Sequence, residues 1–417
     1  MGGIHPTVKP EECLEYADYV CVGEAEEAFP EFVEKLEKGK RMDNIKNIWT
    51  KKGNKIIKNT SRPPIKDLDI LPIPCFEYSK LFEWHNNKIK SLEKNPEVRR
   101  IFFDYWYSIM TSRGCPFKCK YCVNDALGNM NHIFRMMRRR SDEKIIEELK
   151  IAKKKIGKFI VNFVDDDFII RPIDSLKQFL IKYKKEINLP LLCAGTPTAL
   201  TDEKIKLLID AGAQRIQIGI QSFSEKVNKE IYGRYTSSKQ LIDMIERISK
   251  YRHKILFVFD IILDTPWEKD DTRIETLKFL LTFKKPYEIW LNSMTLYPGT
   301  SLYERAKKEG IIKNEKEEIY NKSFYSLENT YVNSLFLLFV KFNFPKSLIR
   351  KLIKYQKYKL IERPLKNSTY LLLHLDFYIQ GFRNIFKFKK YNLLINFLSA
   401  PARLIVNKLE GRKRTGV

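Results

Sequence analysis

From residue 106 onward, short apolar runs alternate with stretches in which apolar residues recur at helical spacing, and the alternation repeats six times. The apolar runs are YSIMTS, KFIVNFV, LPLLCAG, RIQIGI, ILFVFDIIL and IWLNSMTL. The amphipathic stretches begin near Ser141, Ile173, Thr201, Ser237, Asp270 and Ser301. Repeated strand–helix–strand units require a parallel sheet. The expected fold is α/β, a partial (β/α)6 TIM-like barrel over residues 106–310. In such barrels the chemistry collects at the C-terminal ends of the strands, so the polar residues after each strand are the candidates.

Outside that span the pattern changes. Residues 1–45 read as helix PEECLEYA, strand YVCVG and helix EAEEAFPEFVEKL, a Rossmann-like fragment too short to make its own sheet. Residues 46–105 lack a sustained period and carry the proline cluster RPPIKDLDILPIP, which marks a linker. Residues 311–417 form a helical C-terminal region. Its segments NSLFLLFVKF, SLIRKLIKYQKYKLI and YLLLHLDFYIQGF mix apolar and basic residues, and they are expected to cap the barrel mouth. None reaches the roughly 18 apolar residues that a bilayer span needs.

Charge adds a second feature to that region. The net charge is +25, and residues 331–417 hold 18 Lys/Arg against 3 Asp/Glu. Such a field attracts anionic lipid or nucleic acid, while a lysine-rich composition gives some excess with no partner. A basic run, Arg138, Arg139 and Arg140, precedes the first barrel helix; it reads as a contact for an anionic substrate or a reductase, or as a solvated run.

The seven cysteines cluster once, as Cys115, Cys119 and Cys122 in SRGCPFKCKYC. Gly114 and Pro116 free this loop from helix geometry, so three thiolates can converge on separate corners of an iron–sulfur cluster and leave one iron open. A zinc or redox-thiol loop is the alternative, although zinc requires a fourth ligand. Cys13, Cys21, Cys75 and Cys193 stand singly and are expected as small buried hydrophobes. An odd cysteine count without a secretory pattern points to the reducing cytoplasm, with membrane association as a second possibility.

The C-x3-C-x2-C spacing, with Tyr121 before the last cysteine, resembles the radical S-adenosylmethionine (SAM) superfamily. The resemblance implies a 4Fe-4S cluster on the three cysteines, SAM chelated by the open iron, and reductive SAM cleavage that starts radical chemistry on the substrate. It also implies an electron donor such as flavodoxin or ferredoxin. The F-x-D-D-x-F stretch at Phe163, Asp165, Asp166 and Phe168 is similar to the loop that holds the SAM amine. Gln221 and Ser222 match the rim position for its ribose or carboxylate. Asp260 and Pro266 are kept, whereas Asp264 and Trp267 stand where the family more often has glycine, which implies a narrower pocket. LYPGTSLY from Leu296 matches the terminal turn.

GG-x-H-P-T and D-Y-V-x-x-G-E-x-E near the N-terminus, and the I-x-D-L-D-x-L-P-x-P linker, are similar to the cobalamin-associated branch. The branch's D-x-H-x-x-G loop occurs nowhere, which leaves cobalamin a doubtful cofactor. The resulting expectation is a radical SAM enzyme acting on an unidentified substrate, lipid-like or a natural product. A radical RNA-modifying enzyme and a non-catalytic metal-binding module with a nucleic-acid-binding tail are the alternatives. A second cysteine triad ahead of the barrel, which the former reading calls for, does not occur in this sequence.

Overall fold

The computed structural model describes residues 1–77, 81–85, 87–96, 98, 106–356, 362–369 and 372. The chain divides into two units, Met1–Leu327 and Glu328–Val417.

The first unit opens with helices α1 (Ile4–Val8) and α2 (Pro10–Cys13), strand β1 (Tyr19–Cys21) and helix α3 (Ala28–Glu37). Strands β2 (Ile48–Lys52) and β3 (Lys55–Ile57) follow, and β1–β2–β3 form an antiparallel sheet in which Tyr19 faces Thr50 and Thr50 faces Ile57. The change at residue 46 expected from the sequence therefore falls inside a sheet. A five-residue strand and a three-residue strand around the Gly53 turn are too short to show a period. Asn47 bends the chain at φ 71°, donating to the Val22 carbonyl at 2.6 Å and accepting from Arg62 N at 2.9 Å. Cys13 and Val20 pack in one buried cluster and Cys21 and Ile45 in another, so both cysteines act as small hydrophobes. Cys193 is also buried. Cys75 is exposed, against expectation, because its proline-flanked stretch PIPCF packs into no regular element. A short hairpin, β4 (Phe82–His85) with β5 (Lys88–Ser91), lies in the same proline-rich span.

The barrel begins with β6 (Trp106–Ile109) and the short β7 (Ser112–Arg113). Helix α4 (Val123–Met130) and β8 (Arg138–Arg139), which pairs with β7, come next. Five units then follow: α5 (Asp142–Ile156) and β9 (Ile160–Phe163); α6 (Ile173–Glu186) and β10 (Leu191–Gly195); α7 (Asp202–Asp210) and β11 (Ala213–Gln221); α8 (Ser238–Ser249) and β12 (Leu256–Leu263); α9 (Asp270–Leu280) and β13 (Glu288–Ser293). Helix α10 (Ser301–Lys308) closes the series.

Six strands pair in parallel in the order β6, β9, β10, β11, β12, β13. Among the described residues the two end strands do not pair, so the barrel stays open. The helices start where the sequence indicates, because a hydroxyl precedes most of them. Ser141 accepts from Lys144 N, Thr201 from Lys204 N and Thr300 from Tyr303 N, while Ser237 and Gln240 form a capping box.

The two faces of the strands differ. Outward residues pack under the helices: Tyr107 donates to Glu148 of α5 at 2.7 Å, and Phe163 meets Phe179 of α6 at 5.8 Å between ring centres. Inward residues stay accessible, with Trp106 41%, Met110 48% and Val164 41% exposed. The lumen is thus a chamber rather than a filled core.

Residues 311–327 stay with the barrel: Ser293 N donates to the Phe324 carbonyl at 2.6 Å, and Tyr303 bonds Glu315. The α/β rhythm ends at 310, but the compact unit continues to Leu327. The second unit contains α11 (Tyr331–Val340), capped by Thr330, and α12 (Lys346–Lys354), with Tyr331 Oη on the Leu352 carbonyl at 2.7 Å. Apart from residue 372, the segment YLLLHLDFYIQGF lies outside the described residues. Among the described residues no helix is long and apolar enough to cross a membrane.

Candidate active site

The cysteine loop is bolted at both ends. Gly114 sits at φ +95°, where an added Cβ would lie 2.2 Å from the Met136 carbonyl, so only glycine fits. Cys115 N donates to the Phe134 carbonyl at 3.2 Å, Lys120 N to the Tyr232 carbonyl at 2.9 Å, and Leu302 N to the Lys120 carbonyl at 3.0 Å. Gly233, at φ +67°, leaves room for the Lys118 carbonyl, which would sit 2.7 Å from a Cβ. Cys122 caps α4, whose Asp125 carboxylate bonds Ser301 at the start of α10.

Burial pushes the Cys115 thiol up to about 12 and the Cys122 thiol up to about 11, and the neighbouring cysteines add to both shifts. Three acceptor sulfurs packed this way favour a cationic cluster among them, and this is the donor set that an iron–sulfur cluster requires. Among the described residues no three His, Cys, Asp or Glu side chains converge on a single ion. A cubane binds each thiolate at a different corner, so its ligands stand farther apart than those of one zinc.

The acidic loop after β9 is divided in role. Asp165 is buried and accepts from Thr111 N at 3.1 Å, Thr111 Oγ1 at 2.8 Å and Ser112 Oγ at 2.5 Å. It therefore pins the strand exit that feeds the cysteine loop and has little capacity left for the SAM amine. Asp167 is also buried rather than turned outward, accepting from Ile170 N at 2.9 Å and Thr196 N at 3.0 Å. Backbone donors at both ends of the loop draw these two carboxylates inward. Only Asp166 is exposed; it accepts from Asn124 Nδ2 at 2.7 Å, and its charge raises the Cys115 and Cys122 thiols.

Gln221 ends β11 at φ 67° with its Oε1 buried and without a hydrogen-bond partner among the described residues, and Gly219 leaves space for its amide. Ser222, expected beside it as a rim ligand, is 1% exposed and engaged by Thr276 Oγ1 at 3.2 Å and Ser224 N at 3.2 Å. It supports the turn from behind. Tyr121 packs edge-on against Tyr232 at 5.3 Å.

Two residues had no role assigned from the sequence. Arg234 places Nη1 3.7 Å from Cys119 Sγ and 3.2 Å from Tyr121 Oη, with Nη2 2.8 Å from the Gly219 carbonyl. Asp260 faces the lumen and takes two hydrogen bonds from Gln217 Nε2, at 2.9 and 3.1 Å; burial pushes its pKa up to about 6. A lone carboxylate inside the apolar run ILFVFDIIL was the available signal for Asp260. Arg234 lies in the polar stretch GRYTSSK and carried none.

Asp264 keeps the left-handed backbone, φ 60°, that glycine usually supplies, with Ser293 Oγ donating to its carboxylate at 2.7 Å. Trp267 stacks on Arg305 at 4.3 Å and donates to Glu309 at 2.6 Å, on the α10 side. The basic run before α5 is neither solvated nor free. Arg138 is 7% exposed and bonds Glu24 at 2.9 Å and the Ile65 carbonyl at 2.6 Å, while Arg140 pairs with Glu148 at 2.6 Å. With Arg113 on Glu24 and Glu26, these contacts fasten the N-terminal sheet to the barrel.

Residues 109–280 match the radical SAM superfamily. An uncharacterized methyltransferase of Pyrococcus horikoshii is 27% identical over 312 residues, covering 73% of this chain and 62% of the relative. The bacteriochlorophyllide d C-8(2)-methyltransferase of Chlorobaculum tepidum is 24% identical over 343 residues, covering 77% of this chain and 65% of the relative. The chain thus spans less than two thirds of the length of these relatives. Among solved structures, the radical SAM methyltransferase TsrM of Kitasatospora setae, with cobalamin and a 4Fe-4S cluster bound, superposes with a TM-score of 0.55 at 14% identity. That superposition covers 74% of this chain and 57% of TsrM. The loop carrying Cys115, Cys119 and Cys122 and most of the six-stranded open barrel therefore lie within a segment that matches the radical SAM superfamily, and beyond that segment the chain is similar to methyltransferase relatives.

Proposed function

We propose that this protein cleaves SAM reductively and starts radical chemistry on a substrate held in the barrel lumen. The observation that carries the reading is the bolted loop of three cysteines, Cys115 and Cys119 buried and Cys122 half-buried, with the half-buried Arg234 guanidinium beside one of them. When bound, a 4Fe-4S cluster supplies one electron for splitting SAM into methionine and a 5′-deoxyadenosyl radical that takes hydrogen from the substrate.

The chain's own residues hold the reactants. Cys115, Cys119 and Cys122 ligate the cluster. Arg234, cationic beside Cys119, faces the SAM carboxylate. Asp166, the one exposed carboxylate of its loop, suits the SAM amine. The orphaned Gln221 Oε1 and the Asp260–Gln217 pair accept from the ribose hydroxyls. Asp165 and Ser222 act through the backbone they hold. The methyltransferase relatives make methyl transfer the first reaction class to test, with cobalamin added and omitted. A flavodoxin or ferredoxin is the electron donor this reading requires, and the cytoplasm is its compartment.

The test is anaerobic reconstitution followed by iron counting and chromatographic detection of 5′-deoxyadenosine. About four irons per chain and SAM-dependent product are expected. Cys115→Ala, Cys119→Ala and Cys122→Ala each lose both, and Cys193→Ala keeps the iron. One bound zinc with no SAM cleavage would overturn the reading.

A further inference from the structure

The lumen has a floor, and its chemistry points to the substrate. Arg215 lies near the N-terminal end of the central strand β11, away from the cysteine loop at the other end of the barrel. Its neighbour Ile216 is fully buried on the outward face, so Arg215 points inward. The guanidinium carbon stands 5.4 Å from the centre of the Trp106 ring and 5.3 Å from that of Trp290. Those two indoles belong to β6 and β13, the end strands that do not pair. One cation thus lies within cation–π distance of indoles on both sides of the gap that backbone hydrogen bonds leave open.

Cation–π contacts use the charge of a guanidinium and leave its N–H donors unused. Among the described residues no acceptor meets those donors and no carboxylate lies within ion-pair distance of them. Glu288 is exposed at the rim and makes no such pair. Asp260, the acidic group of the same wall, sits farther along toward the mouth and is held by Gln217. The Arg215 charge reaches it only through space. The chamber is therefore cationic at its floor, where Asn162, level with Arg215 in the sheet register, is hydrogen-bonded to Ser108.

We propose that Arg215 is a substrate-specificity residue, and that the lumen takes a molecule ending in an oxyanion, a carboxylate or a phosphate, bound edge-on at this floor. A planar guanidinium fork held beside two indole rings matches two oxygens of one such group. Seated there, the oxyanion directs the rest of the molecule toward the cysteine loop. The inference rests on the radical SAM reading for the identification of the lumen as the substrate chamber.

The experiment titrates the reconstituted full chain at physiological salt with two probe pairs, benzoate against benzamide and benzyl phosphate against benzyl alcohol. Intrinsic tryptophan emission reports binding, since Trp106 and Trp290 flank the site. At least one anionic probe should saturate and bind about tenfold or more tightly than its neutral partner, as a charge-assisted bidentate contact implies. The tighter of the two identifies the oxyanion. Arg215→Met should abolish the preference while removing only one charge of a net +25, so general attraction to a basic protein does not explain the loss.

Equal binding of the members of both pairs, or a preference that survives Arg215→Met, would overturn the proposal. Should Arg215→Met not fold, Arg215→Lys keeps the charge without the fork. It should weaken the preferred probe severalfold, and unchanged binding there is equally fatal. Formation of 5′-deoxyadenosine in the same preparation reports separately on the enzymatic reading.

Discussion

Asp260 carries its carboxyl in a wall where burial raises the pKa to about 6 while Gln217 and Arg215 pull against that shift. Below that pH the group is neutral and a weaker acceptor for hydroxyls. SAM affinity should therefore rise on going from pH 5 to pH 7.5, by roughly tenfold for one charge-assisted hydrogen bond. Asp260→Asn should flatten the profile; a titration in which the variant keeps the wild-type pH dependence would remove Asp260 from SAM binding. Glu268 is a second raised carboxyl, pushed up to about 7 by burial, with Arg273 opposing. Its folded pKa lies above its unfolded value, so ionisation works against folding. The cost is absent below about pH 4.5, grows as the pH rises toward 7, and is complete above it. Glu268→Gln should stabilise the protein at pH 8 by on the order of 1–3 kcal/mol and have little effect at pH 4.5. Equal melting temperatures of variant and wild type at pH 8 would show that the buried charge is compensated.

At the level of elements, the exit of β6 and the loop after β9 act as one piece, because Asp165 receives three hydrogen-bond donors from Thr111 and Ser112. The cysteine loop starts two residues later. Asp165→Ala leaves those buried donors unpaired, at about 1–3 kcal/mol for the first and less for each that finds water. The expected outcome is a lower melting temperature together with reduced iron uptake, since the loop loses its anchored start. Full iron content in a destabilised variant would separate the anchor from cluster assembly. The N-terminal sheet is attached in the same manner, through buried Arg138 on Glu24. What looked like a surface charge run is a joint between elements.

For the molecule as a whole, charge is the unexplained quantity. Residues 331–417 carry 18 Lys/Arg against 3 Asp/Glu, and α12 already shows the pattern, with only Ile349 buried among exposed basic residues. The charge motivates the hypothesis of contact with an anionic lipid surface, at about 1 kcal/mol per basic residue near the surface and screened within roughly 8 Å at physiological salt. Co-sedimentation with anionic vesicles should be strong at low salt, weak at high salt, and reduced by deleting residues 382–417, which lie outside the described residues. Preferential binding to RNA at matched salt would transfer the charge to a nucleic-acid role, and binding to neither would leave it as composition.

The sequence by itself determined what repeats and what is local. Six apolar runs spaced by capped helices specify a parallel sheet because strand and helix periods differ and each hydroxyl cap acts within three residues of its own position. The cysteine trio was legible for the same reason: its ligands lie within one loop. Tertiary structure alone decided which polar groups face the chamber. Asp165, Asp166 and Asp167 are alike in sequence, yet donors from Thr111, Ser112 and Thr196 hold the outer two inward and leave the middle one exposed, bonded to Asn124. Arg234 reaches Cys119 across 115 residues, and Arg215 meets indoles from both ends of the sheet. No periodicity encodes such contacts, because they depend on how an open barrel curves its first and last strands toward a common axis.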